Sequence, residues 1–445
     1  MEPGHERNDL LLWWLALAGL ALYGVLFVYS TGYIGGDYAV RPVWRQHAVW
    51  LLLAAVLLWG VSRLSPSGRL LDALVWLGYG ASLLGLVAVL LVGKQIGGAR
   101  RWLELGSLTL QPAEFAKVFT LLAVARLLAR PADSGGRLWR LATRTRLRRA
   151  LLLLAAVALP AALIVVEPSA GNACTLLPAT AVAIGLRLPW RRLWNALLAL
   201  TLVACVAAAA ALVWLRSADE AEGLVSAIPR EGLAGGLVRG YHLRRVAAYL
   251  SPKGSWNERQ SVMTLASGGA FGKGYLEGTM KGLGYLPRTV APTDFIFSVI
   301  GEEMGFLFGT LPVLLLYLTL LWLGLGWAAR TRDRAAGLAC AELMTLLATH
   351  VLVNVAMTVR LLPIIGLPLP LLSYGGSFTL AIALALGVVC GAGRDLEGQT
   401  SALRPPTDRR QATPPRQLSL TLIPGLLRLN LQLRDGDATS RNGTR

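Results

Sequence analysis

Charged residues are scarce in this chain. Asp, Glu, Lys and Arg make up 15% of its 445 residues, whereas hydrophobic residues make up 55%. Soluble globular domains carry about 25% charged residues. The composition therefore excludes an ordinary soluble protein and predicts an all-α polytopic membrane protein.

Histidine and cysteine are rarer still, with four residues of each type. Neither type occurs at the close spacing of zinc ligands or in the pattern of a disulfide framework. No cofactor is therefore predicted from the sequence. The cysteines lie in or near apolar runs and are interpreted as small apolar side chains.

Acidic residues are few beside the basic ones, and the 25 acids against 43 bases leave a net charge of +18. Arginines crowd the short connections at 137–149, 187–192 and 330–334. By the positive-inside rule these loops are cytoplasmic, and their charge favours contact with anionic membrane lipids. No basic stripe alternates with stacking aromatic residues, so nucleic acid is not an expected partner.

The apolar runs predict about ten transmembrane helices, since each crossing needs about 20 residues. They lie at roughly 10–30, 47–64, 71–93, 112–129, 150–167, 171–187, 193–215, 295–328, 336–359 and 370–391. An even number of spans places both termini in the cytoplasm. The first run is interpreted as a retained helix, because acidic residues dilute its positive flank.

Three regions follow from this pattern. Residues 1–393 form the membrane domain, and a large extracytoplasmic loop at about 216–293 joins helices 7 and 8. Residues 394–445 are predicted to be a disordered cytoplasmic tail, with a membrane-surface segment at 418–433 as the alternative. The span at 295–328 is too long for one straight crossing, so its first turns are expected to tilt or to lie within protein.

One acid stands at the edge of the membrane. Asp294 lies where the long external loop meets the apolar run from 295. A carboxylate there is costly to desolvate and is not needed for packing. Asp294 is therefore predicted to be a functional residue.

Two external segments earlier in the chain add further candidates. Glu114 and Lys117 are three residues apart, so they share a helix face and are predicted to pair, either as a structural ion pair or as part of a site. Arg101 and Trp102 suit an anionic, sugar-bearing ligand through phosphate pairing and ring stacking, or serve as an interfacial anchor. Glu167, in the next external turn, is interpreted as a solvated loop charge.

Two later segments are rich in small residues. Gly269 and Lys273 belong to the glycine-rich run 267–274, which permits close backbone approach to a ligand or forms a plain hinge. The run 369–377 opens the last span and either binds a ligand or lets helices pack closely. The predicted substrate-binding residues of all four segments are Arg101, Trp102, Glu114, Lys117, Arg245, Gln260, Ser261, Gly269, Lys273, Ser373, Gly375 and Gly376.

The order of these motifs resembles the SEDS family, the FtsW, RodA and SpoVE group of peptidoglycan polymerases. The matching segments lie at 98–117, 260–274, 293–305 and 372–377, within a resemblance that covers about residues 10–393. The resemblance implies polymerisation of lipid II on the outer face of the cytoplasmic membrane, with Asp294 as the catalytic residue. It also implies a class B penicillin-binding transpeptidase as partner.

The chemistry needs only one carboxylate. A sugar hydroxyl is a poor nucleophile and requires a base, whereas a diphosphate leaves without being protonated, unlike the leaving group of a glycosidase. The negative charge on the leaving group must be stabilised, and Arg101, Lys117, Arg245 and Lys273 are the candidates. A divalent cation would serve the same purpose, but no ligand cluster in the sequence supports one.

Several positions depart from the family pattern. Ser169 stands where the family carries an acid, Ile365 where FtsW proteins carry a lysine, and Arg360 where glycine is usual; Gly284 and the run 287–292 also differ. These changes keep two alternatives open, a non-catalytic scaffold of a cell-wall complex and a flippase for lipid-linked precursors. A role in elongation, in division or in a specialised process stays open as well.

Overall fold

The computed structural model describes residues 5–34, 37–38, 43–65, 68–96, 99–106, 108–129, 142–167, 169–187, 255–287, 289–402, 417–423 and 427–432. The predicted span at 193–215 and Arg245 lie outside these ranges. The chain forms two compact units, Met1–Gly398 and Gln399–Arg445, which are treated separately.

Helices dominate the first unit. Within the described residues they are α1 His5–Gly32, α2 Val43–Ser62, α3 Arg69–Val92, α4 Pro112–Ala129, α5 Ala142–Val166, α6 Ala170–Cys174, α7 Leu176–Arg187, α8 Trp256–Ser267, α9 Thr279–Gly282, α10 Ile296–Gly305, α11 Leu311–Arg330, α12 Arg334–Thr358 and α13 Gly376–Ala402. Short strands join them: β1 Tyr33–Ile34 pairs with β2 Asp37–Tyr38, and β3 Lys94–Ile96, β4 Ala99–Leu105 and β5 Leu108–Leu110 form an antiparallel sheet.

Six helical segments of the described chain are long and apolar enough to cross a membrane. They are Asn8–Gly32, Val43–Ser62, Arg69–Val92, Ile296–Arg330, Arg334–Thr358 and Gly376–Gly398. Shorter apolar helices occupy Leu151–Val166 and Gly171–Leu186. The protein is thus a mostly helical, multi-pass membrane protein, whereas the count of ten spans stays a prediction.

Helix α4 lies in the interior of the bundle, and α12 and α13 also bury most of their surface. Helix α4 packs against α3, α5, α7 and α12, and nearly all of its residues from Pro112 to Ala125 are buried. This position explains why α4 carries Glu114 and Lys117: the two charges face protein and not lipid.

The long apolar run breaks near its outer end. Helix α10 stops at Gly305, whose φ of 69° only glycine adopts readily. A π-helical turn, Phe306–Thr310, follows before α11 begins. Glu302 and Glu303 are fully buried in α10, as expected for first turns that lie within protein.

Within the second unit the structure describes two strands, and the predicted disorder of 394–445 stays a prediction. Strands β6 Gln417–Ile423 and β7 Leu427–Gln432 pair in antiparallel register, with Leu418 opposite Leu431 and Leu420 opposite Leu429. Leucine recurs at every second position of both segments, which is the two-residue repeat of a β-strand. The spacing that suggested a membrane-surface segment is therefore also the spacing of a strand.

Candidate active site

Asp294 immediately precedes Phe295 and helix α10, and its peptide is held from two sides. The buried Asn354 of α12 donates through Nδ2 to the carbonyl oxygen of Asp294 at 3.0 Å and to that of Leu367 at 2.8 Å. On the other side, Ser373 Oγ donates to the carbonyl oxygen of Thr293. The backbone beneath the Asp294 carboxylate is therefore fixed by two separate segments.

Asp294 lines a cleft of about 620 Å³. The described residues around this cleft are Trp50, Arg101, Trp102, Thr109, Gln111, Glu114, Ser169, Gly171, Asn172, Cys174, Thr293, Asp294, Pro363, Ile365, Gly366, Pro368, Tyr374, Gly375, Gly376, Ser377 and Phe378. The structure thus brings together six of the predicted residues, which come from three distant segments: Asp294, Arg101, Trp102, Glu114, Gly375 and Gly376.

The start of α13 forms one wall of the cleft. A Cβ atom on Gly376 would lie 2.3 Å from the indole of Trp50, so only glycine lets α13 approach α2 this closely. Ser377 Oγ accepts from the Gln111 N–H at 3.0 Å and donates to the Thr109 carbonyl at 3.1 Å. Gly376 therefore serves close helix packing, one of its two predicted roles, and lines the cleft as well.

Strand β4 carries Arg101 and Trp102 into the opposite wall. Arg101 Nε donates to the backbone carbonyl of Glu167 at 3.2 Å. The Glu167 side chain is fully buried, and neither carboxylate oxygen has a hydrogen-bond partner among the described residues. Burial raises the pKa of Glu167 to about 8, against the opposing charge of Arg101. The interpretation of Glu167 as a solvated loop charge is therefore wrong.

A buried polar cluster lies behind the cleft. Lys117 Nζ is 2.9 Å from Glu114 Oε2, which confirms the predicted pair. The same ammonium group donates to Asn172 Oδ1 at 3.0 Å and lies 3.1 Å from His350 Nε2. Glu114 lines the cleft, whereas Lys117 is only 1% exposed and does not.

Asn172 and Ser169 also join this cluster. Asn172 Nδ2 donates to Ser169 Oγ at 3.1 Å while its Oδ1 accepts from Lys117. Both Asn172 and Ser169 line the cleft, so this neutral bridge runs from the buried ammonium group to the cleft wall.

Four predicted residues lie elsewhere. Gln260 and Ser261 are buried on α8, where Ser261 Oγ is 2.8 Å from Ser298 Oγ and donates to the Thr358 carbonyl at 3.0 Å. Lys273 forms an ion pair with Glu302 at 2.7 Å. Neither these residues nor Gly269 line the cleft that contains Asp294.

The glycine-rich run does permit close backbone approach, but its partner is the chain itself. A Cβ on Gly268 would lie 1.9 Å from the Gly301 carbonyl oxygen. The Phe306 N–H donates to the Gly269 carbonyl, and the Gly274 N–H donates to the Glu303 carbonyl, each at 2.9 Å. The run 268–274 is therefore packed on 301–306 and supports α10, the helix that follows Asp294.

Sequence reasoning missed Asn354 and His350. Both are fully buried polar residues in α12, a mostly apolar span. Polar side chains within a transmembrane helix are a signal of function or of internal hydrogen bonding, and this signal was present in the sequence. The backbone bond from Asn354 to Asp294 could not have been inferred from it.

The chain matches known proteins over most of its length. Residues 10–397 match the FtsW/RodA/SpoVE family model, described as a cell cycle protein. The chain is 32% identical to the peptidoglycan glycosyltransferase MrdB of Escherichia coli strain K12, over 68% of this chain and 73% of that protein. It is 28% identical to the peptidoglycan glycosyltransferase RodA of Treponema pallidum, over 84% and 95% of the two chains.

Solved structures agree with this match. A chain from a peptidoglycan synthase complex that coordinates polymerization and crosslinking superposes with a TM-score of 0.61 at 30% identity, covering 86% of this chain and 97% of that one. The crystal structure of the rod shape determining protein RodA of Thermus thermophilus superposes with a TM-score of 0.55 at 29% identity, covering 86% and 96%. Sequence and fold together make this chain a member of the FtsW/RodA/SpoVE family.

Proposed function

We propose that this protein is a peptidoglycan glycosyltransferase that polymerises lipid II on the outer face of the cytoplasmic membrane. The observation that carries the proposal is that Asp294 lines a cleft together with Arg101 and Trp102. An acid, a guanidinium group and an indole are the groups that a sugar linked to a diphosphate requires. The relatives named as peptidoglycan glycosyltransferases support the same reaction.

In the proposed step the Asp294 carboxylate takes the proton from a sugar hydroxyl of the acceptor. The oxygen then forms a bond to the anomeric carbon of the donor as the bond to the diphosphate breaks, and the configuration inverts. The polyprenyl diphosphate leaves with the electron pair and needs no proton. The bonds from Asn354 and Ser373 hold the peptide of the base in place during this transfer.

Arg101 is the cation that we assign to the leaving diphosphate, because it is the one Lys or Arg among the described residues of the cleft lining. Lys117 is buried behind the wall of the cleft. It therefore acts on the diphosphate through the electric field of its polar cluster and does not contact it directly. Lys273 binds Glu302 at a distance from this lining. In this proposal Lys273 therefore supports α10 through its ion pair with Glu302.

The cleft faces the cell exterior in this proposal, since the arginine-rich connection at 330–334 lies at the other end of the bundle. Both termini are then cytoplasmic. A class B penicillin-binding transpeptidase is the proposed partner, because the strands made at the cleft need crosslinking. The synthase complex that resembles this chain coordinates polymerization with crosslinking, which supports such a pairing.

The decisive experiment measures polymer made from labelled lipid II by the purified full-length protein, with and without its transpeptidase. Replacing Asp294 with Asn keeps the side-chain shape and removes the base, so polymer should fall by about 10²-fold or more. The matched control is Asp72→Asn, which changes a half-exposed acid that pairs with Arg126 outside the cleft.

Equal polymer from the Asp294→Asn variant and the wild type would remove Asp294 as the base. A wild type that binds lipid II but makes no polymer, even with its partner, would favour the scaffold. Movement of lipid II across liposome membranes without polymer would favour the flippase.

A further inference from the structure

A second cavity lies at the end of the bundle away from the candidate active site. Its volume is about 440 Å³, and the described residues around it are Leu10, Trp14, Trp59, Ser62, Arg63 and Arg394. They come from the start of α1, the end of α2 and the late part of α13. Three helices distant in sequence thus converge on one groove, which we call the basic groove.

The position of the basic groove matches the opposite surface of the membrane. Gly376 lines the active-site cleft and Arg394 lines the groove, both on α13. Eighteen residues of α-helix rise by roughly 27 Å, which is close to the hydrocarbon thickness of a bilayer. The groove therefore lies at the level of lipid headgroups, on the face that carries the arginine-rich connections.

Two guanidinium groups supply the charge of the groove. Arg63 lies over the Trp59 ring at 4.6 Å, and Arg394 Nη1 is 3.5 Å from the Ser62 carbonyl oxygen. Neither arginine forms an ion pair with another described residue. Both guanidinium groups keep N–H groups that can donate to a phosphate. Two parallel hydrogen bonds from one guanidinium group to one phosphate are the geometry that favours arginine over lysine.

Two acids lie close in the chain to groove residues. Asp9 pairs with Arg330 at 2.9 Å, so this pair contributes no net charge. Asp395, the chain neighbour of Arg394, accepts from the Ser65 hydroxyl at 3.1 Å and keeps its own charge. Neither acid is among the described residues of the groove lining, which itself carries two positive charges and no negative one.

The walls of the groove suit a lipid. Trp14 and Trp59 provide indole rings of the kind that settle at the membrane interface. The outward faces of the same two helices expose Leu11, Leu15, Leu52 and Val56, each more than half exposed. A ligand whose anionic end sits in the groove can lay its acyl chains along these faces.

We propose that the basic groove binds the phosphodiester headgroup of an anionic phospholipid of the inner leaflet. Basic pockets between transmembrane helices on the cytoplasmic side are a known physical solution for such headgroups. If the arginines acted only as topology signals, they would have no reason to share one cavity with aromatic rings.

The test is native mass spectrometry of the full-length protein released from nanodiscs that contain phosphatidylglycerol or phosphatidylethanolamine. The wild type should retain phosphatidylglycerol in preference to phosphatidylethanolamine. The double variant Arg63→Gln/Arg394→Gln should bind phosphatidylglycerol on the order of tenfold more weakly, since each arginine near an anionic surface adds about 1 kcal/mol. The matched control is Arg332→Gln, an exposed arginine that does not line the groove.

Equal retention by the double variant and the control would overturn the proposal, and so would equal retention of the two lipids. Protection from thermal unfolding by inorganic phosphate alone, at the level given by the lipid, would identify a soluble anion as the ligand. Displacement of the lipid by the transpeptidase partner's helix would assign the groove to that protein instead.

A second measurement avoids substitutions, in case the double variant folds poorly. Photoreactive phosphatidylglycerol added to the wild type should label peptides that contain Trp14 and Trp59. Labelling spread evenly over the lipid-facing helices would contradict a defined site.

Discussion

The side-chain amide of Asn354 binds the backbone carbonyl of Asp294 at 3.0 Å, although the two residues are 60 positions apart. Asn354 is fully buried in α12, and its second bond, to Leu367, anchors the loop that follows the helix. Helix α12 thereby positions the proposed base without contacting the cleft itself.

Replacing Asn354 with Leu should lower kcat by about tenfold to a hundredfold, because a small displacement of the base is costly for the transfer. KM for lipid II should change little, since Asn354 does not line the cleft. Initial rates of lipid II polymerisation over a range of substrate concentrations measure both constants. Thr349→Val on the same helix removes only a bond to the Thr345 carbonyl and serves as the control. An unchanged kcat in a folded Asn354→Leu protein would contradict this positioning role.

The Glu114–Lys117 pair predicts a characteristic pattern of stability. Lys117→Met leaves a nearly buried carboxylate unpaired and should lower the free energy of unfolding by about 3–5 kcal/mol. The double variant Glu114→Gln/Lys117→Met removes both charges and should recover much of that loss. Thermal melts in one detergent compare the three proteins. A double variant no more stable than Lys117→Met would show that Lys117 is held mainly by Asn172 and His350.

Glu167 predicts a pH dependence of stability. Its pKa rises from 4.5 to about 8 on folding, so the folded state holds this proton more tightly than the unfolded state. Stability should therefore fall as pH rises from about 4.5 to about 8, because over this range the unfolded state releases a proton that the folded state keeps. In Glu167→Gln this part of the slope should vanish, and melting temperatures from pH 5 to 8 measure it. The exposed Glu104→Gln is the control and should keep the wild-type slope; a slope unchanged in Glu167→Gln would refute the assignment.

Arg360 adopts a φ of 61°, in the left-handed region that glycine enters most readily. Arg360 Nε also lies 3.8 Å from the buried carboxylate of Glu258. Arg360→Gly and Arg360→Ala both remove this ion pair, so their difference isolates the backbone conformation. The Gly variant should be more stable than the Ala variant by about 1 kcal/mol, as measured by chemical unfolding. The opposite order, normal for a helical site, would show that the backbone relaxes.

Replacing Gly268 with a larger residue should cause a strong steric clash, although its backbone angles are ordinary. Its φ is −80°, yet an added Cβ would lie 1.9 Å from the Gly301 carbonyl oxygen. Gly268→Ala should destabilise the protein by about 2–4 kcal/mol. The control Gly282→Ala meets no atom within 4 Å and should be neutral or slightly stabilising. Similar melting temperatures for the two variants would mean that the segments 268–274 and 301–306 move apart at little cost to make room for the methyl group.

The sequence was a good guide to the parts of the fold that depend on length and hydrophobicity. The spans of α1, α2, α3 and α12 follow from runs of about 20 apolar residues. Asp294, which the structure places in the cleft lining, drew attention because an acid at a membrane edge is rare. Such local signals need no knowledge of which segments meet.

The sequence was a poorer guide where a residue's environment depends on distant segments. Glu167 is interpreted from the sequence as a solvated loop charge, but its side chain is fully buried and Arg101 of β4 binds its backbone carbonyl. Gly269 and Lys273 stay predicted ligand residues, but their backbone bonds in the structure are to the outer end of a helix about 30 residues later in the chain. A high density of glycine predicts that another group approaches the backbone closely, but it does not identify that group.

The contact between 268–274 and 301–306 has a consequence for exchanging parts between relatives. Because main-chain atoms of each segment occupy the space that a side chain would need in the other, neither can change independently. A chimera that takes residues 293–305 from a relative must take its glycine-rich loop as well. The two motifs, separate in sequence, form one structural unit.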